Sequence, residues 1–176
     1  EAERMGRLIG DLLSLARAES GARLEFEPVE LDSLLVESVR IQRQSAAHVR
    51  MNVASAQPAV VAGDRDRLRE LLGILLDNAA RYTPAGGSVV VALDVEADRA
   101  VIRVEDTGVG IDEADRERVF ERLYRGTRAR AMRPSGTGLG LAIARWIVES
   151  HAGTIDLTNR EGGGTVATVA LPLRAS

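Results

Sequence analysis

The stretch Leu68-Arg69-Glu70-Leu71-Leu72-Gly73-Ile74-Leu75-Leu76-Asp77-Asn78-Ala79-Ala80-Arg81-Tyr82-Thr83-Pro84 sets the reading of everything around it. Leu68, Leu71, Leu72, Leu75, Leu76 and Ala79 recur at helical spacing, so one face of this helix calls for burial. Asp64 is suited to cap its start, and Thr83-Pro84-Ala85-Gly86-Gly87 stops it. Downstream the period changes to two. Ser88 to Val95 and Arg99 to Glu105 read as strands joined through Ala97-Asp98 as a hairpin. A short helix near Asp112 to Val119 leads into Glu121 to Ser135, which is polar, arginine-rich and without period, and reads as a mobile loop. Helix Leu139 to His151 and strands Thr154 to Asn159 and Thr165 to Leu171 close the chain. Upstream, Val49 to Ala54 and Ala59 to Ala62 read as strands, and Asp32 to Ala47 as a helix. Arg23 to Val29 alternates as a half-buried strand that Pro28 places near an edge. Helices and strands alternating in this way predict an α/β (α+β) domain.

The opening of the chain has another character. Met5, Leu8, Leu12 and Leu15, widened by Ile9, Leu13 and Ala16, form an apolar stripe on a helix that Ser20-Gly21 ends. So wide a stripe is expected to pack on another helix or a second chain. The organisation read is therefore an appended helix over residues 1–21 and one domain over residues 22–176. Because the sequence starts inside a charged helical pattern, it reads as a piece of something longer.

Composition narrows the classes. With 176 residues, 45% hydrophobic and 28% charged, the chain is an ordinary globular domain able to bury a core. At 3% aromatic, that core must come from Leu, Val, Ile and Ala. A net charge of -3 offers no general attraction to nucleic acid or acidic membranes, so no nucleic-acid partner is expected. Without cysteine there is no disulfide framework, thiolate nucleophile or cysteine-based metal site. No apolar run approaches the roughly 18 residues that span a bilayer, so a soluble piece is expected.

Three segments carry chemistry. At the end of the leucine-rich helix, the amide oxygen of Asn78 could bind a hard cation such as Mg²⁺, although an exposed Asn near a helix end reads equally well. Asp106-Thr107-Gly108-Val109-Gly110-Ile111 follows an apolar strand. Its glycines allow close approach of a flat ligand and its Asp can accept from an exocyclic amine; read alone, a turn is the better reading. Ser135-Gly136-Thr137-Gly138-Leu139-Gly140-Leu141-Ala142-Ile143 is a glycine-rich loop entering an apolar helix, where free amides attract anions. Its spacing matches neither the P-loop nor the dinucleotide fingerprint.

In this order, with Phe120-Glu121-Arg122-Leu123-Tyr124-Arg125 between the second and third, the segments resemble the N, G1, F and G2 boxes of the sensor histidine kinases of two-component systems. The similarity extends from Glu1-Ala2-Glu3-Arg4-Met5 to Gly164-Thr165 and Leu171-Pro172. It implies a Bergerat-type two-layer sandwich of the GHKL ATPase superfamily. The sheet would be mixed with helices on one face, ATP lying between the helices under a lid at about residues 121–135. It makes residues 1–21 the C-terminal part of a dimerisation helix, with the phosphoacceptor helix absent. By motif position, Asn78 would be the Mg²⁺ ligand, Arg81 would lie near the phosphates, Tyr82 would cover the adenine and Asp106 would read its amine. Gly108, Gly110 and Ile111 would form the adenine pocket. Gly136, Thr137, Gly138, Leu139 and Gly140 would make the phosphate loop. Arg125 would stabilise charge on the γ-phosphate, with Arg128, Arg130 and Arg133 as alternatives or plain solvated lid charges. Phe120 and Tyr124 would anchor the lid base rather than touch substrate.

The implied function is transfer of the ATP γ-phosphoryl group to a histidine outside this chain, for relay to a response regulator Asp. The implied partners are the phosphoacceptor helix of the full-length protein, the response regulator and a second copy. The domain would be cytoplasmic, in a parent open to membrane anchoring. Two departures stand out. No phosphoacceptor motif is present: His48 lies in a connection and His151 at a helix C-terminus, where a cation complements the dipole, and both read as structural. Ile74 stands one turn before Asn78, where the family usually carries an Asn and related hydrolases a Glu that orients water. Ile74 keeps open a degenerate or partner-switching ATP-binding module. The F box and opening helix argue against an ATP hydrolase of the DNA gyrase kind.

Overall fold

The structure, a computed structural model, describes residues 23–133 and 136–174 together with Gly6, Gly10 and Ala16. The helix and stripe expected over residues 1–21 thus lie outside the described residues apart from those three.

Strand β1 (Glu27–Glu30) is followed by helix α1 (Leu31–Ser45), strands β2 (Arg50–Ala56) and β3 (Val60–Gly63), and helix α2 (Arg65–Arg81). The hairpin β4 (Ser88–Glu96) and β5 (Arg99–Asp106) comes next. Helices α3 (Thr127–Met132) and α4 (Gly140–Ser150) and strands β6 (Thr154–Asn159) and β7 (Thr165–Pro172) complete the order. The main sheet has five strands in the order β2-β4-β5-β7-β6. β2 and β4 are parallel and the other pairs antiparallel, so the sheet is mixed. Strand pairing in register lines up Val91, Val104, Ala167 and Leu157, and beside them Leu93, Ile102 and Val169. These rows are buried on one face, whereas Arg103 on the opposite face pairs with Asp94 and Glu96.

Helices α1, α2 and α4 cover the apolar face, α2 packing between the other two. Leu68, Leu71, Leu72, Leu75, Leu76, Ala79 and Ala80 of α2 are buried as the spacing predicts. Asp64 caps α2, its Oδ1 accepting from the N–H groups of Asp66 and Arg67 at 3.1 Å each. At the other end His48 Nε2 donates to the Ala80 carbonyl at 2.9 Å.

Three expectations need correction. The strand expected over 23–29 is β1, confined to Glu27–Glu30, the only residues there that find a strand partner, and it pairs antiparallel with β3 as a separate two-stranded sheet. The short helix near Asp112 to Val119 is two 3₁₀ turns, Glu113–Asp115 and Arg118–Phe120. His151 is no cation at a helix end. Its Nε2 accepts from the Asp64 N–H at 3.0 Å while Nδ1 donates to the Ile147 carbonyl at 2.7 Å, an arrangement that only the neutral ring supplies.

Candidate functional site

The end of α2, the loop after β5, the segment through α3 and the start of α4 enclose a cavity of about 430 Å³. That size suits a small-molecule site. Asn78, Arg81, Tyr82, Asp106, Gly110, Ile111, Arg125, Gly136, Thr137, Gly138 and Gly140 line it. Gly108 and Leu139 do not. A Cβ on Gly108 would lie 2.3 Å from the Tyr82 carbonyl oxygen, so this glycine lets the exit of β5 press on the end of α2. Leu139 is buried in the core.

Asp106 continues the inward row Ala100, Ile102, Val104 of β5 and is itself buried. Its Oδ1 accepts from the N–H groups of Gly108 at 2.8 Å and Thr165 at 3.1 Å. Oδ2 takes no donor among the described residues. Burial raises the Asp106 pKa above the ordinary 3.8, outweighing the lowering by those two amides and by Arg160. The tight fit of β7 on this position needs Gly164, where a Cβ would stand 1.8 Å from the Asp106 carbonyl oxygen. Asn159 fixes the loop beyond: its Oδ1 accepts from the Ile111 N–H and its Nδ2 donates to the Ile111 carbonyl, both at 2.8 Å.

On α2, the Asn78 side chain makes no hydrogen bond among the described residues. Arg81 is tied one turn back to Asp77 at 2.7 Å, and Ile74 packs its apolar chain between cavity and core. The G2 loop is held flat. Gly138 has φ 69°, and a Cβ there would meet the main chain of Leu123 at 2.7 Å. Thr137 Oγ1 accepts from the Leu139 N–H at 3.2 Å, which fixes the entry to α4.

The segment read as a mobile loop contains the helix α3, which owes its place to side chains outside it. Asp115, buried, accepts from Tyr124 Oη at 2.5 Å on one oxygen and from the Thr127 N–H at 2.6 Å on the other. The Tyr124 hydroxyl first and the Thr127 amide second hold its pKa below the usual 3.8. Arg128 donates to the Val109 carbonyl at 3.0 Å and pairs with Asp112 at 2.7 Å, joining α3 to the loop after β5. The Arg125 guanidinium donates to the carbonyls of Ala129 and Arg133. Asp112, Asp115, Tyr124, Arg128 and Thr165 also line the cavity. None carries a sequence signal of its own beyond the F box, since each takes its place from a distant partner.

Comparison with known proteins agrees with this geometry. Residues 63–175 match the family of histidine kinase-, DNA gyrase B-, and HSP90-like ATPases. The chain is 36% identical over 180 residues to the sensor histidine kinase WalK of Bacillus subtilis, covering 99% of this chain and 29% of that protein. It is 35% identical over 175 residues to the sensor-like histidine kinase SenX3 of Mycobacterium bovis, covering 98% and 43%. The chain thus spans well under half the length of these relatives. Among solved structures, the mycobacterial sensor histidine kinase MprB superimposes with a TM-score of 0.77 at 33% identity, over 85% of this chain and all of that one. Full-length ShkA in complex with AMPPNP gives a TM-score of 0.82 at 26% identity, over 97% and 36%. An inward carboxylate at the end of β5, a glycine loop at the start of α4 and the short helix α3 around one cavity, together with these likenesses, place the chain among the ATP-binding catalytic domains of the sensor histidine kinases.

Proposed function

We propose that this domain holds Mg-ATP in the cavity and transfers its γ-phosphoryl group to a histidine outside this chain, from which a response regulator Asp receives it. One observation carries the reading: residues from all four boxes line a single cavity of nucleotide size. Asp106 keeps Oδ2 for the adenine amine, Ile111 walls the base and Tyr82 covers it. Gly136, Gly138 and Gly140 bear no side chains over the free amides at the start of α4, so phosphate oxygens can reach them. Arg81 and Arg125 bring positive charge to the phosphates. A bound Mg²⁺, held by the Asn78 amide oxygen with phosphates and water, would supply neutralisation of the β- and γ-phosphate charge. Ile74 offers no acceptor to orient a water, so hydrolysis should be slow while transfer to histidine proceeds.

In this reading residues 1–21 end a dimerisation helix and 22–176 form the catalytic domain. Two copies of the parent would build a four-helix bundle that brings the histidine to Arg125. The parent can be anchored in a membrane, although no helix among the described residues is long and apolar enough to cross one. Ile74 also supports a second reading, a module that binds ATP without transferring it.

Incubation with γ-labelled ATP, with and without the histidine-bearing bundle of the parent, separates them. Label on the bundle is the expected result. Nucleotide binding without label on the bundle supports the binding module, and label on His48 or His151, or brisk phosphate release, overturns the proposed roles.

A further inference from the structure

We propose that Asp115 is a positioning residue for phosphoryl transfer, holding Arg125 at the cavity by gripping the chain on both sides of it. The inference rests on the reading that Arg125 meets the γ-phosphate. One carboxylate oxygen takes the hydroxyl of Tyr124, the residue before Arg125, at 2.5 Å. The other takes the N–H of Thr127, two residues after it, at 2.6 Å. Between them a Cβ on Gly126 would stand 3.1 Å from Asp115 Oδ2, so the main chain lies directly against the carboxylate. The Arg118 guanidinium sits 4.1 Å above the Tyr124 ring and restrains it from the other side.

These contacts matter because an arginine can be aimed only from a fixed main chain, and ties on both flanks of Arg125 remove the backbone part of the ordering cost in advance. Tyr124 also keeps its backbone bond to the Glu121 carbonyl, and Leu123 its bond to Gly138. Loss of the Asp115 carboxylate should therefore release Arg125 while leaving the adenine side of the cavity in place.

The test is phosphoryl transfer in the full-length parent kinase, with kcat and KM for Mg-ATP and the dissociation constant of ADP measured in parallel. Asp115→Ala should lower kcat by about 10- to 100-fold, the range for a displaced catalytic group, with ADP affinity changed by no more than about fivefold through the loosened α3. The double variant Asp115→Ala/Arg125→Ala should be no slower than Arg125→Ala alone, since both remove one function. Tyr124→Phe removes one of the two ties and serves if Asp115→Ala folds poorly. It should lower kcat less and show the same non-additivity. Additive losses, or equal losses in ADP affinity and kcat, would make Asp115 a merely structural support and overturn the proposal. If Arg125→Ala itself leaves kcat unchanged, the γ-phosphate assignment fails first, and the positioning role falls with it.

Discussion

Asp106 shows how one residue can belong to a strand and a site at once. Its place in the row Ala100, Ile102, Val104 carries it inward, where an unpaired carboxylate would be costly. Two backbone amides on Oδ1 offset part of that cost and leave Oδ2 for a ligand. Asp106→Asn retains an oxygen for the two amides but presents an NH₂ where, in the proposed binding mode, the adenine amine needs an acceptor. ATP affinity should then fall by about tenfold, the worth of a hydrogen bond to a charged group, and GTP affinity should fall less in paired calorimetric titrations. The pH dependence has a definite sign. With its folded pKa raised, Asp106 contributes stability that is fully present below its unfolded pKa and is lost as pH rises through the folded one. Once protonated, it no longer offers the amine a carboxylate. ADP affinity should thus begin to weaken on acidification at a higher pH than an exposed Asp would give, and Asp106→Asn should abolish that dependence.

At the scale of elements, α3 is the instructive case. Six residues are too few to hold a helix by propensity alone, so its stability comes from Asp115 at its start and Arg128 reaching the Val109 carbonyl and Asp112. Arg128 is about half exposed, and its ion pair is therefore worth under about 1 kcal/mol. Arg128→Ala should accordingly speed nucleotide release by about two- to fivefold with little change in association rate, as most affinity tuning lies in release. Stopped-flow displacement of a fluorescent nucleotide checks this; an unchanged release rate would mean that the link between α3 and the β5 loop does not gate the cavity. Asp115 adds an acid limit to the same helix. Its lowered pKa means that its contribution is present above the unfolded value and is lost as pH falls through the folded one.

For the whole molecule, stability and binding separate at core positions away from the cavity, such as Leu72. The leucine face of α2 buries against sheet and helices, and only its last turns, from Ile74 to Arg81, reach the cavity, where Leu75 and Ala79 belong to core and lining alike. Leu72→Ala, at a fully buried position, should cost about 2–5 kcal/mol of unfolding free energy. Denaturant titration should show that loss, while ADP affinity of the folded fraction stays near the wild-type value. Element order, most element ends to within a few residues, and the order of the four boxes are legible in the chain before it folds. They are legible because helical and strand periods, caps and glycine turns are local properties. Which side chains meet emerges only on folding. The α3 helix and the grip of Asp115 depend on partners 9 to 19 residues away, the Asn159 bracket on Ile111 on one 48 residues away, and the place of His151 on one 87 residues away. Gly108, read alone, is a turn residue until Tyr82 is brought against it, and the contact of Gly164 with Asp106 likewise arises only on folding. Periodicity fixes what faces inward, but only closure of the sheet and packing of the helices fix what each inward group touches.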